Sequence, residues 1–243
     1  MTSTHRWTQL ARRLAAEGIG TFYLVLIGPG AVMVDAYSHG RVGHVGVALA
    51  FALVVIAMVY ALGHLSGAHI NPAVTIAFWS VGRFPASEVI LYVLAQCMGA
   101  VAASWTLRAV LGAVGRMGAN GPAIPAGGAF VIEWLLSFAL MFVVMAVATD
   151  DRVADGFAPL AIGLTVGFCA LMAGPLTGAS MNPARSFGPA LAGSIWESHW
   201  VYWLAPITGM VAAANVYDRL RDTRVPALTA EPGSVGVQGQ IPE

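Results

Sequence analysis

Apolar residues in this chain of 243 gather in long runs parted by short polar breaks. The runs cover residues 18–34, 42–63, 86–107, 129–149, 157–175 and 199–217. Each is close to the roughly 20 residues that a helix needs to cross a bilayer. None alternates apolar with polar positions, as the short strands of a membrane barrel do. The pattern predicts an all-α membrane protein with six transmembrane helices. The first run is too long for the apolar core of a cleaved signal and reads as a retained span. Residues 223–243 are rich in Pro and Gly without an apolar period, which predicts a disordered C-terminal tail behind a folded domain over 1–222.

Two polar interruptions resemble each other. SGAHINPA at 66–73 aligns with TGASMNPA at 177–184, offset by 111 throughout. Each is preceded by one acid read as intramembrane: Glu17, in LAAEGIGTF, lies 54 residues before Asn71, and Glu133, in FVIEWLLSF, lies 49 before Asn182. The chain reads as a duplication, with repeat one at about 8–120 and repeat two at about 121–222. Three spans per copy is an odd number, so the second copy must be inserted upside down, as in transporters built from inverted repeats with broken helices. Asn is a preferred N-cap, and Pro is tolerated at the first helical position. Residues 71–82 and 182–193 can each be helical for about 12 residues, or about 18 Å, roughly half the hydrocarbon thickness. The pattern adds two re-entrant half-helices whose N-termini lie near the bilayer centre, preceded by backbone expected to be extended. Irregular backbone at that depth survives only if it is buried or lines a wet cavity. Two opposed N-termini would aim two positive dipole ends at one point.

Charge adds orientation and removes some functions. Only 10% of the residues are charged, against about 25% in a soluble domain. Net charge is zero and no basic stripe is present, which argues against nucleic acid as a partner. All twelve basic residues are arginines. Six crossings put Arg6, Arg12, Arg13, Arg83, Arg152, Arg219, Arg221 and Arg224 on one side and Arg41, Arg108 and Arg116 on the other, so both termini are expected in the cytoplasm. Arg185 belongs to neither side. A guanidinium near the middle of a membrane costs at least about 2.5–3.5 kcal/mol to insert; an ion pair with Glu133 or Glu17 is one way to offset that. Cys97 and Cys169 fall in apolar runs and read as small hydrophobes. No metal-ligand spacing, phosphate loop, nucleophile motif or cofactor site is legible. Trp79, Trp105 and Trp200 near span ends fit an interfacial belt.

The paired Asn-Pro-Ala boxes, the AEGIGTF start of the first span and NPARSFGPA together resemble the aquaporin (major intrinsic protein) family over about residues 8–220. The resemblance implies six tilted helices and two half-helices around one pore per subunit, assembled as a homotetramer in a plasma or inner membrane. It places Asn71, Pro72, Ala73, Asn182, Pro183 and Ala184 at the pore centre. Glu17 and Glu133 would support the re-entrant loops. Spacing from the two asparagines puts the family's outer filter at Phe51, Ala170, Ala179 and Arg185. Water-selective members carry His where Ala170 stands, and glycerol facilitators carry Asp where Ser186 stands. Ser186, Ala190 and the pair Tyr202-Trp203 resemble the water branch, whereas the filter lacks the ring that narrows it.

The expectation is a passive channel for water and small uncharged solutes, such as glycerol, urea or neutral metalloid hydroxides like arsenite, closed to protons and ions. A strictly water-selective pore is the alternative. A coupled transporter would need a titratable site in the path, and an intramembrane enzyme a catalytic cluster. His69 is expected near the cytoplasmic half of the pore, His64 in a loop, and His39 and His44 in outer loops.

Overall fold

The computed structural model of the protein describes residues 3–221 apart from residue 155, with side chains from Trp7 onward. The predicted tail at 223–243 lies outside the described residues. Eight helices follow in order: α1 (Ser3–Tyr37), α2 (Gly43–Ser66), α3 (Pro72–Ser80), α4 (Ala86–Leu111), α5 (Ala126–Thr149), α6 (Ala158–Thr177), α7 (Pro183–Gly193) and α8 (Val201–Leu220). No strand occurs among the described residues. Helices α1, α2, α4, α5 and α6 are long and apolar enough to cross a membrane. Helix α8 matches α6 in length at 20 residues; Asp218 and Arg219 in its last turn make it more polar.

Helix α1 starts well before the apolar run at 18, because LARRLAAE is made of strong helix formers with no breaker. Its polar stretch docks through Arg13, whose Nη2 lies 2.7 Å from Glu88 Oε1 on α4. Two histidines depart from expectation because α2 already begins at Gly43 and runs on to Ser66, past the end of the apolar run at 63. His64 is an exposed residue of the last turn of α2 rather than part of a loop. His44 sits in the first turn of α2, its Nε2 2.8 Å from the Leu171 carbonyl on α6.

The packing follows the duplication. Helix α1 packs on α4 as α5 packs on α8; α1 meets α2 as α5 meets α6; α4 meets α7 as α8 meets α3. The pairs α2–α6 and α3–α7 join the two sets. Small residues allow the close approach that helices in lipid rely on. A Cβ at Gly99 would lie 2.1 Å from the Gly18 carbonyl oxygen across α4–α1, and one at Gly209 would lie 2.5 Å from the Trp134 oxygen across α8–α5.

The two short helices run in opposite senses. The end of α3 lies at the end of α8, where Arg83 pairs with Asp218 at 3.1 Å and Asn215 donates to Ser80 Oγ. The α7 ring of Phe187 instead packs 6.2 Å from Trp203, near the start of α8. The N-termini of α3 and α7 therefore meet in the middle, between two inverted sets of helices.

Candidate functional site

Asn71 and Asn182 begin the short helices in extended conformation, with φ/ψ of −158°/120° and −149°/109°. Asn71 Oδ1 accepts from Ala73 N at 2.9 Å. Asn182 Oδ1 accepts from Ala184 N at 3.0 Å and Arg185 N at 3.2 Å. Pro72 and Pro183 occupy the first helical positions, where no N–H is needed. Each amide nitrogen then reaches across the junction: Asn71 Nδ2 donates to the Met181 carbonyl at 2.8 Å, and Asn182 Nδ2 donates to the Ile70 carbonyl at 2.9 Å. An amide carries two N–H donors, so one remains on each asparagine. Asn71 and Asn182 both line a cavity of about 330 Å³, and the positive ends of two helices converge on it.

The segments before the boxes are not extended. Gly67, Ala68 and Ile70 have φ of 88°, 45° and 42°, and Gly178, Ala179 and Met181 have 84°, 42° and 51°. Left-handed backbone at non-glycine residues costs on the order of 1–3 kcal/mol each and persists only where its surroundings enforce it. Here the enforcement comes from the two buried acids. Glu17 accepts from Ser66 Oγ (2.7 Å), His69 N (2.9 Å), Ile70 N (2.7 Å) and Gln96 Nε2 (2.8 Å). Glu133 accepts from Thr177 Oγ1 (2.6 Å), Ser180 N (2.9 Å) and Met181 N (2.9 Å). Tyr92 and Tyr202 donate to the carbonyls of Ser66 and Thr177. They stand 110 apart, one short of the 111 between the boxes, so extending the box alignment with a one-residue gap would have found them. Gln96 has no such echo: Pro206 stands 110 residues on.

Arg185 is buried at 3% exposure and has no salt bridge among the described residues, because Glu17 and Glu133 are filled by loop donors. The ion pair left open by the sequence does not form. Instead Nη1 donates to the Gly118 carbonyl at 2.9 Å and to Asn120 Oδ1 at 2.7 Å. Its Cζ stands 5.1 Å from the centroid of the Phe51 ring, close enough for a cation–π contact. Neither Gly118 nor Asn120 was legible as a site residue, since both lie in the α4–α5 connection, where Asn-Gly signals only a turn.

Phe51, Ala179 and Arg185 line the cavity together. Ala170 does not; Val166, one turn earlier on α6, does. Ala170 lies behind in the same buried cluster as Phe51 and Ala179. Ala73 and Ala184 are fully buried in helix packing, and neither they nor Pro72 and Pro183 face the cavity. His69 does line it, with Nδ1 3.1 Å from Thr75 Oγ1 and its ring against Phe78, Phe84 and Tyr92. Away from the loops the wall is apolar, built from α2, α5 and α6 with Leu24 of α1 and Val74 and Phe78 of α3.

A profile of the major intrinsic protein family matches residues 4–217. The chain belongs to this family. Its membership makes the molecule a multi-pass membrane channel for water and small solutes, and not an enzyme. Among related major intrinsic proteins, Aquaporin NIP1-1 of Zea mays is 47% identical over 218 residues, which is 88% of this chain and 77% of the relative. Probable aquaporin AqpM of Archaeoglobus fulgidus is 44% identical over 239 residues, 87% of this chain and 97% of the relative. The X-ray structure of the aquaglyceroporin from Plasmodium falciparum superposes with a TM-score of 0.77 at 26% identity, covering 87% of this chain and 96% of that one.

Proposed function

We propose that the channel passes water together with uncharged solutes of the size of glycerol, urea or arsenous acid, and excludes protons and ions. The reading rests on the four constriction positions that the family spacing assigns: among Phe51, Ala170, Ala179 and Arg185, two carry only a methyl group, and Ala170 stands back from the cavity that the other three line. Pore diameter and the donors lining it decide what passes. Phe51 supplies an apolar wall for a carbon chain. The free N–H groups of Arg185 and of the two box asparagines supply donors for hydroxyl oxygens. The fixed guanidinium and the two helix N-termini make the midline positive, which opposes cations and breaks a proton wire. The resemblance of the fold to an aquaglyceroporin, at 26% identity, supports a wide pore without fixing its permeant.

In this reading residues 1–222 form one channel domain of two inverted repeats, with the boxes at its centre and the two acids as loop supports. Both termini are cytoplasmic, on the arginine distribution, in a plasma or inner membrane. Four copies assemble as a homotetramer, the arrangement that the family resemblance implies; exposed apolar residues such as Leu53, Ile90 and Met98 face lipid or neighbouring copies.

Swelling of proteoliposomes in water, glycerol, urea and arsenous acid tests the permeant range, with Ala170→His as the deciding variant. An imidazole reaching from α6 toward Phe51 should cut glycerol flux at least about tenfold and leave water flux within about twofold. Equal, negligible glycerol flux in both proteins would instead establish the strictly water-selective alternative, with Val166 or Phe51 closing the gap.

A further inference from the structure

The cavity, the strained loops and both buried acids are absorbed by the channel. One buried polar side chain at its rim is not. Asn120, in the α4–α5 connection, is 4% exposed and engages three groups on two helices at once. Its Oδ1 accepts from Arg185 Nη1 at 2.7 Å and from Ser186 Oγ at 2.9 Å, both on α7. Its Nδ2 faces the carbonyl of Thr177, the last residue of α6, at 3.4 Å. Gly178 makes room for it: a Cβ there would stand 2.3 Å from Asn120 Nδ2.

The connection that carries Asn120 is itself pinned. Met117, 1% exposed, is packed with Met33, Leu107 and Ala192. Gly118 lies against α1 with φ 65°, where a Cβ would meet the Pro29 oxygen at 2.7 Å. Arg185 Nη1 is thus held between two fixed acceptors, Gly118 O and Asn120 Oδ1. A guanidinium has five N–H donors; this clamp uses two, both on one nitrogen, and Nε is left buried with no partner. A buried donor left unpaired is costly, so an unclamped Arg185 would turn to pair it elsewhere.

We propose that Asn120 is the positioning residue of the outer filter. By occupying Nη1 it fixes the guanidinium plane against Phe51 and keeps the remaining N–H groups available to permeating oxygens. Being neutral, it does so without cancelling the charge that repels cations. An acid at the same place would hold the arginine equally well and remove that charge. The choice of amide over carboxylate is therefore a selectivity device. The inference rests on the reading of Arg185 as the charged member of the constriction.

Three variants in proteoliposomes separate the two claims: Arg185→Val, Asn120→Ala and Asn120→Asp, each read for the glycerol-to-water flux ratio and for cation and proton leak. Arg185→Val should leak; a tight Arg185→Val overturns the role of the arginine itself. Given that leak, Asn120→Ala should shift the flux ratio several-fold, because the guanidinium is no longer held. Asn120→Asp should restore the wild-type ratio yet raise cation leak about tenfold. That split is one that a merely structural role for Asn120 would not produce. A leaky Arg185→Val beside a wild-type Asn120→Asp overturns the proposal alone. If Asn120→Ala does not fold, Asn120→Asp, nearly identical in shape, still decides it.

Discussion

Glu17 and Glu133 are the same residue in two copies of one design, but their neighbours differ. Replacing Glu133 by Gln turns one of two acceptor oxygens into an NH2 group. Either Met181 N or Ser180 N then faces a donor, although Thr177 Oγ1 can turn to accept from the new NH2 and donate to Ala173 O. At Glu17 the same change leaves His69 N or Ile70 N facing a donor; a flip of Gln96 would give the new NH2 an acceptor but leave the Gln96 amide nitrogen where its oxygen is now buried without a partner. Each unmatched buried donor costs about 1–3 kcal/mol. Glu133→Gln and Glu17→Gln should therefore each destabilise by about 1–3 kcal/mol, read as a lower apparent Tm in detergent; an unchanged Tm in either would mean that the acid does not hold its loop. Single residues also mark how far the sequence could be read. Glu17, Glu133 and Arg185 stand out because charge in an apolar run is costly, which makes each visible without a structure. Asn120 and Gly118 do not, since nothing local separates a polar loop residue that clamps a filter from one that faces water.

At the scale of helices, the Asn-Pro pairs and apolar runs predict eight helical segments because capping and span length are local properties. The backbone before each box is another matter. Its left-handed residues, Ile70 and Met181 among them, defy their own preferences and follow from acceptors on α1 and α5 that lie far away in sequence. Contacts between helices are likewise legible only as glycines without an assigned face. Gly99 and Gly127 make the point testable. Gly99→Ala would drive a methyl group to 2.1 Å from the Gly18 oxygen, whereas Gly127 in α5 has open space around it. Gly99→Ala should cut the yield of folded protein severely, and Gly127→Ala should keep it or raise stability by up to about 1 kcal/mol; size-exclusion profiles after purification would distinguish them.

The α5–α6 connection carries a further expectation. Asp150, just past α5, accepts from Arg152 and from Tyr217 Oη, and the Arg152 guanidinium holds its carboxyl below the ordinary aspartate range. A carboxylate depressed in this way stabilises the fold above its unfolded value of about 3.9 and loses that effect only as pH falls further, through the depressed value. Hydrogen exchange in 150–157 should stay constant from pH 7 to pH 5, after correction for intrinsic rates, and Asp150→Asn should speed it at both. Faster exchange at pH 5 in the wild type would contradict the Arg152 pairing.

For the molecule as a whole, inversion explains why half the design reads twice. Helix pairs, caps, acids and tyrosines recur at offsets near 111, while the departures cluster where the two copies must differ in task. Gln96 against Pro206, His69 against Ser180 and Val74 against Arg185 break the symmetry. The last of these puts the only buried arginine among the described residues on one side of the centre, so under the proposed function selection falls to one end of the pore.

The reciprocal bonds of Asn71 and Asn182 have a mechanical consequence. Each copy's amide is fastened to the other copy's backbone, so the two halves cannot tilt against each other without parting both bonds. Machines of related plan move cargo by rocking. This one is riveted at its fulcrum, and whatever crosses it must move through a frame that stands still.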